Sequence, residues 1–317
     1  MHVVIAHSDP GAGLAWQQAL AARLPEAAFA QAAGTPDGAG APAPDRWAQY
    51  AVAWNPPPDL FERQPGLHAL FSTGAGVDHL LRHPGLPPGL PVFRLEDAGM
   101  AALMADYCLH TLLDIAGRHD HYRHQQSEGR WLEQAPLARE ALPVGVLGMG
   151  VLGTHVAREL ARAGFPVRGF ARTPHALDGI PVLHGPAGWH AFLAATRVLI
   201  LLAPLTPATE NLIDADALGR LMPEAWLINV ARGALVVDAD LLAALDGGRL
   251  AGATLDVFRE EPLPPRHPFW RHPRIRITPH ASAPTQIGRS AVQIAEGLRR
   301  LARGESPSGR VDRARGY

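Results

Sequence analysis

Residues 143–153 read PVGVLGMGVLG, and this stretch decides the fold of much of the chain. Its first half, PVGVLG (143–148), is a short apolar run of the kind that forms a buried parallel strand. The following run, VLGTHVARELARAG (151–164), has the apolar spacing of a helix. A Gly-x-Gly-x-x-Gly pattern between a strand and a helix indicates a dinucleotide-binding turn. We therefore predict that the pyrophosphate of a dinucleotide lies at the N-terminus of this helix.

Each glycine of the pattern has a separate task. The first makes the tight turn, the second lets the backbone approach the pyrophosphate, and the third lets the helix pack closely on the strand. The residues of this predicted cofactor-binding turn are Gly148, Met149, Gly150, Val151, Leu152 and Gly153.

The end of the next strand, PVRGFA (166–171), predicts which dinucleotide binds. An NAD enzyme places Asp or Glu there to accept hydrogen bonds from the ribose 2′-hydroxyl. This chain has Ala171, followed by Arg172 and Thr173. A small residue, a guanidinium and a hydroxyl suit a 2′-phosphate, so we expect NADP, with NADPH preferred over NADH. The alternative is that Arg172 is a solvated loop residue.

Length and composition restrict the class of protein. The chain has 317 residues, enough for two domains, with 47% apolar residues, 19% charged residues and a net charge of −1. Without a basic excess, nucleic acid is not an expected partner. No apolar run reaches the roughly 18 residues that a membrane span needs. The N-terminus lacks the pattern of a signal peptide, so we expect a cytoplasmic location and no membrane partner.

Two absences bear on the chemistry. The single cysteine, Cys108, lies in an apolar run, so it is expected to be a buried small residue and no internal disulfide is possible. The sequence contains no lysine, which excludes Schiff-base chemistry, a P-loop and a Tyr/Lys hydride-transfer pair.

Alternating strands and helices predict the architecture. The runs HVVIAH (2–7), YAVAW (50–54) and LHALFS (67–72) read as strands of a small first α/β unit, with a helix from Leu14 to Leu24 and a Gly/Pro-rich loop over 33–46. A long helix is expected from Met100 to about Gln126. Further apolar strands follow at PVGVLG (143–148), PVRGFA (166–171), VLILLA (198–203), AWLINV (225–230), GATLDV (252–257) and RIRITP (274–279), and a last helix at 285–303.

The predicted fold class is therefore α/β with two Rossmann-like domains. A doubly wound, parallel-sheet dinucleotide domain (99–283) is inserted into a smaller, flavodoxin-like substrate domain (1–98 and 284–317).

Three polar segments stand at the ends of predicted strands, where open parallel sheets bind ligands. They are NVARG (229–233), LDVFREEPL (255–263) and TPHAS (278–282). With the glycine turn, these segments resemble the D-isomer-specific 2-hydroxyacid dehydrogenases over essentially the whole chain. FRLEDAGM (93–100), LDVFREEPLPP (255–265) and VDRARGY (311–317) narrow the resemblance to the bacterial glyoxylate/hydroxypyruvate reductase A branch. The resemblance implies reduction of a small 2-keto acid and a homodimer, with the predicted helix near 100–126 in its interface.

The resemblance also implies catalytic residues, and their roles make chemical sense. Arg232 is expected to hold the substrate carboxylate and to polarise the ketone oxygen. His280 is expected to be the general acid of reduction, and the base of oxidation. Glu261, selected over Glu260 because it directly precedes a proline, is expected to pair with His280 and favour its charged imidazolium.

Further contacts are also predicted, of which the role of Asp256 is implied by the resemblance. Asp256 resembles the family residue on the nicotinamide carboxamide side. The other expected cofactor contacts are Ala203, Pro204, Val230 and Ala231, and the expected substrate contacts, besides Arg232 and His280, are Trp54, Gly74, Ala75 and Gly76. The backbone N–H groups of the last three form a candidate carboxylate-binding nest. Core packing is an alternative for Trp54, and for Trp131, a candidate contact to a partner's site.

Other interpretations remain open. Taken alone, His280 is more often a structural histidine and Arg232 a surface ion-pair partner. Another member of the same family with a different keto acid is the principal alternative; Glu261 argues against a formate dehydrogenase, which has Gln there. From another class, the fold also serves as a non-catalytic NAD(P)-sensing corepressor. No metal is expected, because His119, His121 and His124 lack the i, i+4 pair that puts two ligands on one helical face, and a solvated face is favoured.

Overall fold

The structure is a computed structural model that describes residues 1–32 and 47–317. The predicted loop over 33–46 lies outside these residues. The chain divides into two compact units: the first comprises Met1–Gly99 with Thr285–Tyr317, and the second comprises Met100–Pro284. From the sequence we place these boundaries at 98/99 and 283/284.

The described residues form parallel strands separated by helices. The strands are β1 (His2–His7), β2 (Ala28–Gln31), β3 (Tyr50–Trp54), β4 (Ala69–Ser72), β5 (Val92–Phe93), β6 (Val144–Leu147), β7 (Val167–Phe170), β8 (Val182–Leu183), β9 (Val198–Leu201), β10 (Ala225–Asn229), β11 (Leu250–Leu255) and β12 (Ile275–Ile277). The helices are α1 (Pro10–Ala21), α2 (Leu60–Arg63), α3 (Asp78–Leu81), α4 (Met100–Ala116), α5 (His119–Ser127), α6 (Val151–Arg162), α7 (Gly185–Ala194), α8 (Ala215–Arg220), α9 (Asp238–Asp246) and α10 (Ile287–Ala302).

The first unit contains a five-stranded sheet in the order β2-β1-β3-β4-β5, with every pair parallel. This is the strand order of flavodoxin-like folds. Helix α10 belongs to this unit and packs closely on β4. The close approach is possible because Gly297 has no side chain, and a Cβ there would collide with the ring of Phe71.

The second unit contains a seven-stranded sheet in the order β12-β11-β10-β9-β6-β7-β8, again with every pair parallel. The order reverses between β6 and β9, as in doubly wound dinucleotide-binding folds. Alternate residues of one strand enter different cores: Val198 and Ile200 join one cluster, and Leu199 and Leu201 join another. Both faces are therefore covered, which explains the continuous apolar runs in the sequence. The predicted fold class is confirmed.

The single helix predicted from Met100 to about Gln126 is wrong, because the structure has two helices there. Helix α4 ends at Ala116, and Arg118 adopts a left-handed backbone with φ of 57°, which an α-helix cannot continue through. The buried carboxylate of Asp114, near the end of α4, accepts two hydrogen bonds from Arg123 of α5, at 2.9 and 3.1 Å. This bidentate contact holds the two helices at the break.

Smaller differences concern the ends of elements. Helix α1 begins at Pro10, not at Leu14, because the carboxylate of Asp9 accepts hydrogen bonds from the first backbone amides of the helix. It ends at Ala21, before the predicted Leu24. The sequence analysis also missed the edge strands β2, β5 and β8, which have two to four residues each and are defined only by parallel pairing to a neighbour. Among the described residues, no helix is long and apolar enough to cross a membrane.

Candidate active site

The predicted site residues of the second unit follow six strands that end side by side, since Phe170 at the end of β7 also pairs with Leu147. In the parallel register Leu147 pairs with Leu201, Leu201 with Asn229, Asn229 with Leu255, and Leu255 with Ile277. The residues immediately after these positions therefore share the carboxyl edge of the sheet. Ligands bind at this edge in open α/β sheets.

The glycine turn has the geometry of a pyrophosphate cradle. Gly148 has φ of +103°, and a Cβ there would collide with the backbone at Leu202 and Ala203. A Cβ on Gly153 would collide with the carbonyl oxygen of Gly148, so the helix lies directly on the turn. Among residues 1–32 and 47–317, a Cβ on Gly150 would meet nothing within 4 Å, and no side chain caps the N-terminus of α6. Open space in front of uncapped backbone amides fits a phosphate-bearing cofactor.

The end of β7 lies beside this turn. The amide of Gly148 donates to the carbonyl of Phe170 at 3.0 Å, and Ala171 directly follows that residue. Arg172 and Thr173 are exposed. The structure therefore brings the residues predicted to recognise a 2′-phosphate next to the pyrophosphate turn.

The remaining predicted cofactor contacts also lie along the edge. Ala203 packs against Gly148, and Pro204 follows it, with its carbonyl accepting a 2.7 Å hydrogen bond from Thr209. Val230 and Ala231 are buried at the end of β10.

Arg232 lies at the end of a tight turn. The turn is stabilised by hydrogen bonds with the buried side chain of Asn229. The side chain of Asn229 accepts a hydrogen bond from the amide of Ala231 at 3.1 Å and donates one to the carbonyl of Arg232 at 2.9 Å. Asn229 is 1% exposed, so these bonds are shielded from water. The guanidinium of Arg232 is half-buried, and one of its N–H groups donates to the carbonyl of Ala231 at 2.7 Å.

Gly233 is where two site segments meet. A Cβ at this position would collide with the backbone of Phe258 and Arg259. The turn that carries Arg232 and the loop that leads to Glu261 therefore touch backbone to backbone. Arg259 strengthens this contact, since its guanidinium donates to the carbonyl of Val236 and to the side chain of Asn211.

Glu261 and His280 form a direct pair. Nδ1 of the His280 imidazole lies 2.8 Å from Oε2 of Glu261, and Oε1 of Glu261 accepts a 2.9 Å hydrogen bond from the amide of Phe258. A carboxylate only accepts, so Nδ1 carries the proton and Nε2 is left for a substrate. The imidazole is 43% exposed, so a ligand can reach it.

Opposing effects act on the Glu261 carboxyl. Partial burial by itself raises its pKa, but the hydrogen bonds from His280 and Phe258, and the positive charges of His280 and Arg232, outweigh burial. The pKa of Glu261 therefore lies below its ordinary value, and the group is a carboxylate at neutral pH. An ionised partner is what a histidine needs to act in its charged form.

Asp256 is fully buried, and its carboxylate holds the loop that carries His280. Oδ1 accepts hydrogen bonds from the hydroxyl of Thr278 at 2.5 Å and from the amide of Ala281 at 2.8 Å, and Oδ2 accepts one from the amide of Ser282 at 3.0 Å. The amide of His280 donates to the Asp256 carbonyl at 2.8 Å. The structure thus shows Asp256 in contact with the loop that carries His280. Its contact with the cofactor stays a prediction.

The predicted substrate contacts Trp54, Gly74, Ala75 and Gly76 belong to the first unit. There β3 and β4 pair in parallel, so Trp54 and the segment after Ser72 end at the same edge of that sheet. The Trp54 ring lies directly on Gly74, where a Cβ would be 2.5 Å from it. His79 packs against the same ring, with 4.1 Å between centroids.

The sequence analysis did not single out several residues that organise the site: Asn229, Gly233, Thr278 and Tyr107. The first three lie inside the quoted motifs. Asn229 could have been singled out as a polar residue at the end of an apolar strand. Tyr107 has no signal in the sequence, because its partner Thr278 lies 171 residues away. Among residues 1–32 and 47–317, no group of His, Cys, Asp and Glu side chains could hold a metal ion.

Comparison with known proteins agrees with this geometry. The family model described as D-isomer specific 2-hydroxyacid dehydrogenase, NAD binding domain, matches residues 109–282. The chain belongs to the D-isomer specific 2-hydroxyacid dehydrogenase family. The family expected from the sequence is thus confirmed.

Individual relatives are similar over nearly the whole chain. Glyoxylate/hydroxypyruvate reductase A from Photorhabdus laumondii is 44% identical over 278 residues, covering 86% of this chain and 89% of the relative. A D-isomer specific 2-hydroxyacid dehydrogenase from Xanthobacter autotrophicus, solved with NADPH and MES, has a TM-score of 0.93 and 40% identity, covering 100% of this chain and 99% of the other. An NADPH-dependent glyoxylate/hydroxypyruvate reductase from Sinorhizobium meliloti, solved with NADP and sulfate, has a TM-score of 0.92 and 34% identity, with the same coverage.

Proposed function

We propose that this chain reduces glyoxylate and hydroxypyruvate to glycolate and glycerate with NADPH. The observation that carries the proposal is the 2.8 Å hydrogen bond between Glu261 and His280 at the carboxyl edge of a dinucleotide-type sheet. Relatives over 40% identical are named glyoxylate/hydroxypyruvate reductase A, which supports this substrate class.

Residues of the second unit would hold the cofactor. The amides at the N-terminus of α6 would bind the pyrophosphate, and Arg172 and Thr173 would bind the 2′-phosphate. When bound, NADPH supplies a hydride to C2 of the keto acid. NADPH or NADP in the two solved relatives supports this choice of cofactor.

Arg232 and His280 perform the remaining steps. The guanidinium of Arg232 binds the substrate carboxylate and draws electron density from the ketone oxygen, so that C2 accepts the hydride more readily. Nε2 of the His280 imidazolium gives its proton to the carbonyl oxygen, which becomes the hydroxyl of the product. Glu261 keeps Nδ1 protonated and balances the charge of the imidazolium.

Two further assignments belong to the proposal. Trp54 and residues 74–76 of the first unit are proposed substrate contacts. A homodimer is the proposed assembly, to be checked by sedimentation equilibrium. The cytoplasmic location stays an expectation from the sequence.

A kinetic panel tests the proposed function. The purified chain is assayed with glyoxylate, hydroxypyruvate, pyruvate and 2-oxoglutarate, each with NADPH and with NADH, and the loss of reduced cofactor is followed. We expect the highest kcat/KM for glyoxylate or hydroxypyruvate with NADPH. If NADPH binds but none of the four acids is reduced, the enzymatic proposal is wrong and the cofactor-sensing alternative is favoured.

A further inference from the structure

The loop that carries His280 needs to be held in place. His280 adopts a left-handed backbone with φ of 52°, a conformation that is strained for a non-glycine residue. Its side chain is exposed, and within the described part of the chain its hydrogen-bond partner is Glu261. A general acid must keep its position within about 0.5 Å, so the loop's own anchors decide whether Nε2 stays in place.

The anchors converge on the buried carboxylate of Asp256. Four hydrogen bonds join residue 256 to the loop: three from Thr278, Ala281 and Ser282 to the carboxylate, and one from the His280 amide to the carbonyl. Thr278 is the only side chain among these four donors. Its hydroxyl is therefore the contact that a substitution can remove without changing the backbone.

The Thr278 hydroxyl is held in turn by Tyr107 of α4. The two oxygens lie 2.6 Å apart. A carboxylate only accepts, so the Thr278 hydroxyl donates its one proton to Asp256. Tyr107 must therefore donate to the Thr278 oxygen. Burial raises the pKa of Tyr107 to about 12, so this donor keeps its proton throughout the neutral range. The direction of both hydrogen bonds is thus fixed: Tyr107 donates to Thr278, and Thr278 donates to Asp256.

We propose that Tyr107 and Thr278 are positioning residues for the proposed reduction, acting through Asp256 to hold the His280 loop. This inference rests on the proposed function, and neither residue touches the reacting atoms. The phenol of Tyr107 is hydrogen-bonded to the Thr278 hydroxyl, so we expect the effect of Tyr107 to pass through that hydroxyl.

Kinetics of four variants test the proposal. We expect Thr278→Val to lower kcat about tenfold and Tyr107→Phe about threefold, with KM and the NADPH Kd changed less than about twofold. Thr278→Ser keeps the hydroxyl and should keep kcat within about twofold. In the double variant Tyr107→Phe/Thr278→Val, kcat should equal that of Thr278→Val alone. The Thr278 hydroxyl, through which Tyr107 acts, is already absent there. The solvent deuterium isotope effect on kcat should rise in Thr278→Val, since proton transfer from a displaced imidazole becomes limiting.

Thr254→Val is the matched control. Thr254 lies in β11, is 4% exposed, and its hydroxyl has no hydrogen-bond partner in the described structure. Its substitution should leave kcat and the isotope effect unchanged. Equal losses in Thr254→Val and Thr278→Val, or additive losses in the double variant, would overturn the positioning role.

A second measurement does not depend on turnover. The proton on Nδ1 of His280 should give a far-downfield NMR signal, assigned by its absence in His280→Ala. We expect the signal to persist in Thr278→Ser and to broaden or vanish in Thr278→Val and Tyr107→Phe. An unchanged signal in both latter variants contradicts the positioning role. A wild-type chain that shows the signal but reduces no keto acid contradicts only the proposed function.

Discussion

The imidazole of His280 and the carboxylate of Glu261 are joined by a 2.8 Å hydrogen bond between Nδ1 and Oε2, although 19 residues separate them in sequence. Strands β11 and β12 are paired in the sheet, and the two side chains come from segments that follow these strands. The bond fixes which imidazole nitrogen is protonated in the neutral ring and leaves the other nitrogen for chemistry.

Removal of the Glu261 charge should impair proton transfer. We expect Glu261→Gln to lower kcat about 10- to 100-fold, because a neutral amide does not stabilise the imidazolium as the carboxylate does. The loss should be largest at the pH values at which Glu261 of the wild type is ionised. Steady-state rates across a pH series check this. The matched control is Glu260→Gln, an exposed neighbour. An identical profile for wild type and Glu261→Gln would exclude the pairing from catalysis.

The pKa of Glu261 also predicts how its bonds contribute to stability. Its folded-state pKa lies below the ordinary value of 4.5. Above that ordinary value the carboxylate is charged in both states, and its hydrogen bonds stabilise the folded chain. As the pH falls through the folded pKa, both states become protonated and this contribution disappears.

Urea unfolding of wild type and Glu261→Gln checks this prediction. The difference in their free energies of unfolding should be small at pH 7, below about 1 kcal/mol because the pair is partly exposed, and should shrink on acidification. A difference that grows as the pH is lowered contradicts the assigned direction of the pKa shift.

Gly233 should tolerate no side chain. Because its backbone touches that of Phe258, we expect Gly233→Ala to lower the free energy of unfolding by about 2 to 4 kcal/mol. Any folded variant should also lose turnover, since the segments carrying Arg232 and Glu261 must separate. Gly219→Ala is the control: a Cβ there meets nothing within 4 Å, and alanine in a helix gains up to about 1 kcal/mol. Equal stabilities of the two variants would refute the close contact.

Arg172 should discriminate between the two cofactors. If its guanidinium binds the 2′-phosphate, Arg172→Ala should raise the Kd of NADPH about 10- to 100-fold and that of NADH less than about twofold. Titration of cofactor fluorescence measures both constants. Arg158→Ala, which removes an exposed arginine of α6, controls for a general loss of positive charge. Equal weakening of NADPH and NADH by Arg172→Ala would remove this residue from 2′-phosphate recognition.

Much of the second unit's fold was predictable because its signals are local. The glycine pattern requires a strand before it and a helix after it, and Gly148 and Gly153 stand where a Cβ would collide with backbone. The apolar strands were found for the same reason, since burial on both faces leaves long apolar runs. The break at Arg118 was not predicted, although Gly117, a residue type common at helix ends, directly precedes it.

The candidate site was predictable where its residues lie in motifs and hidden where tertiary contacts define it. Arg232, Glu261 and His280 were selected by resemblance and chemistry, and their roles remain predictions. The contact of Tyr107 with Thr278 joins a helix to a loop far along the chain, so no spacing rule could have indicated it. The edge strand β2, with mostly exposed residues, likewise becomes a strand only by pairing with β1.

The proposed role of His280 is to give the proton in NADPH-dependent reduction of a small 2-keto acid. Its most direct test is kcat for glyoxylate and hydroxypyruvate, together with the NADPH Kd, in wild type, His280→Ala and the control His110→Ala. We predict measurable turnover in wild type and His110→Ala, and a loss of about 100- to 10,000-fold in His280→Ala with the NADPH Kd within about threefold of wild type. An unchanged kcat in His280→Ala would contradict the account.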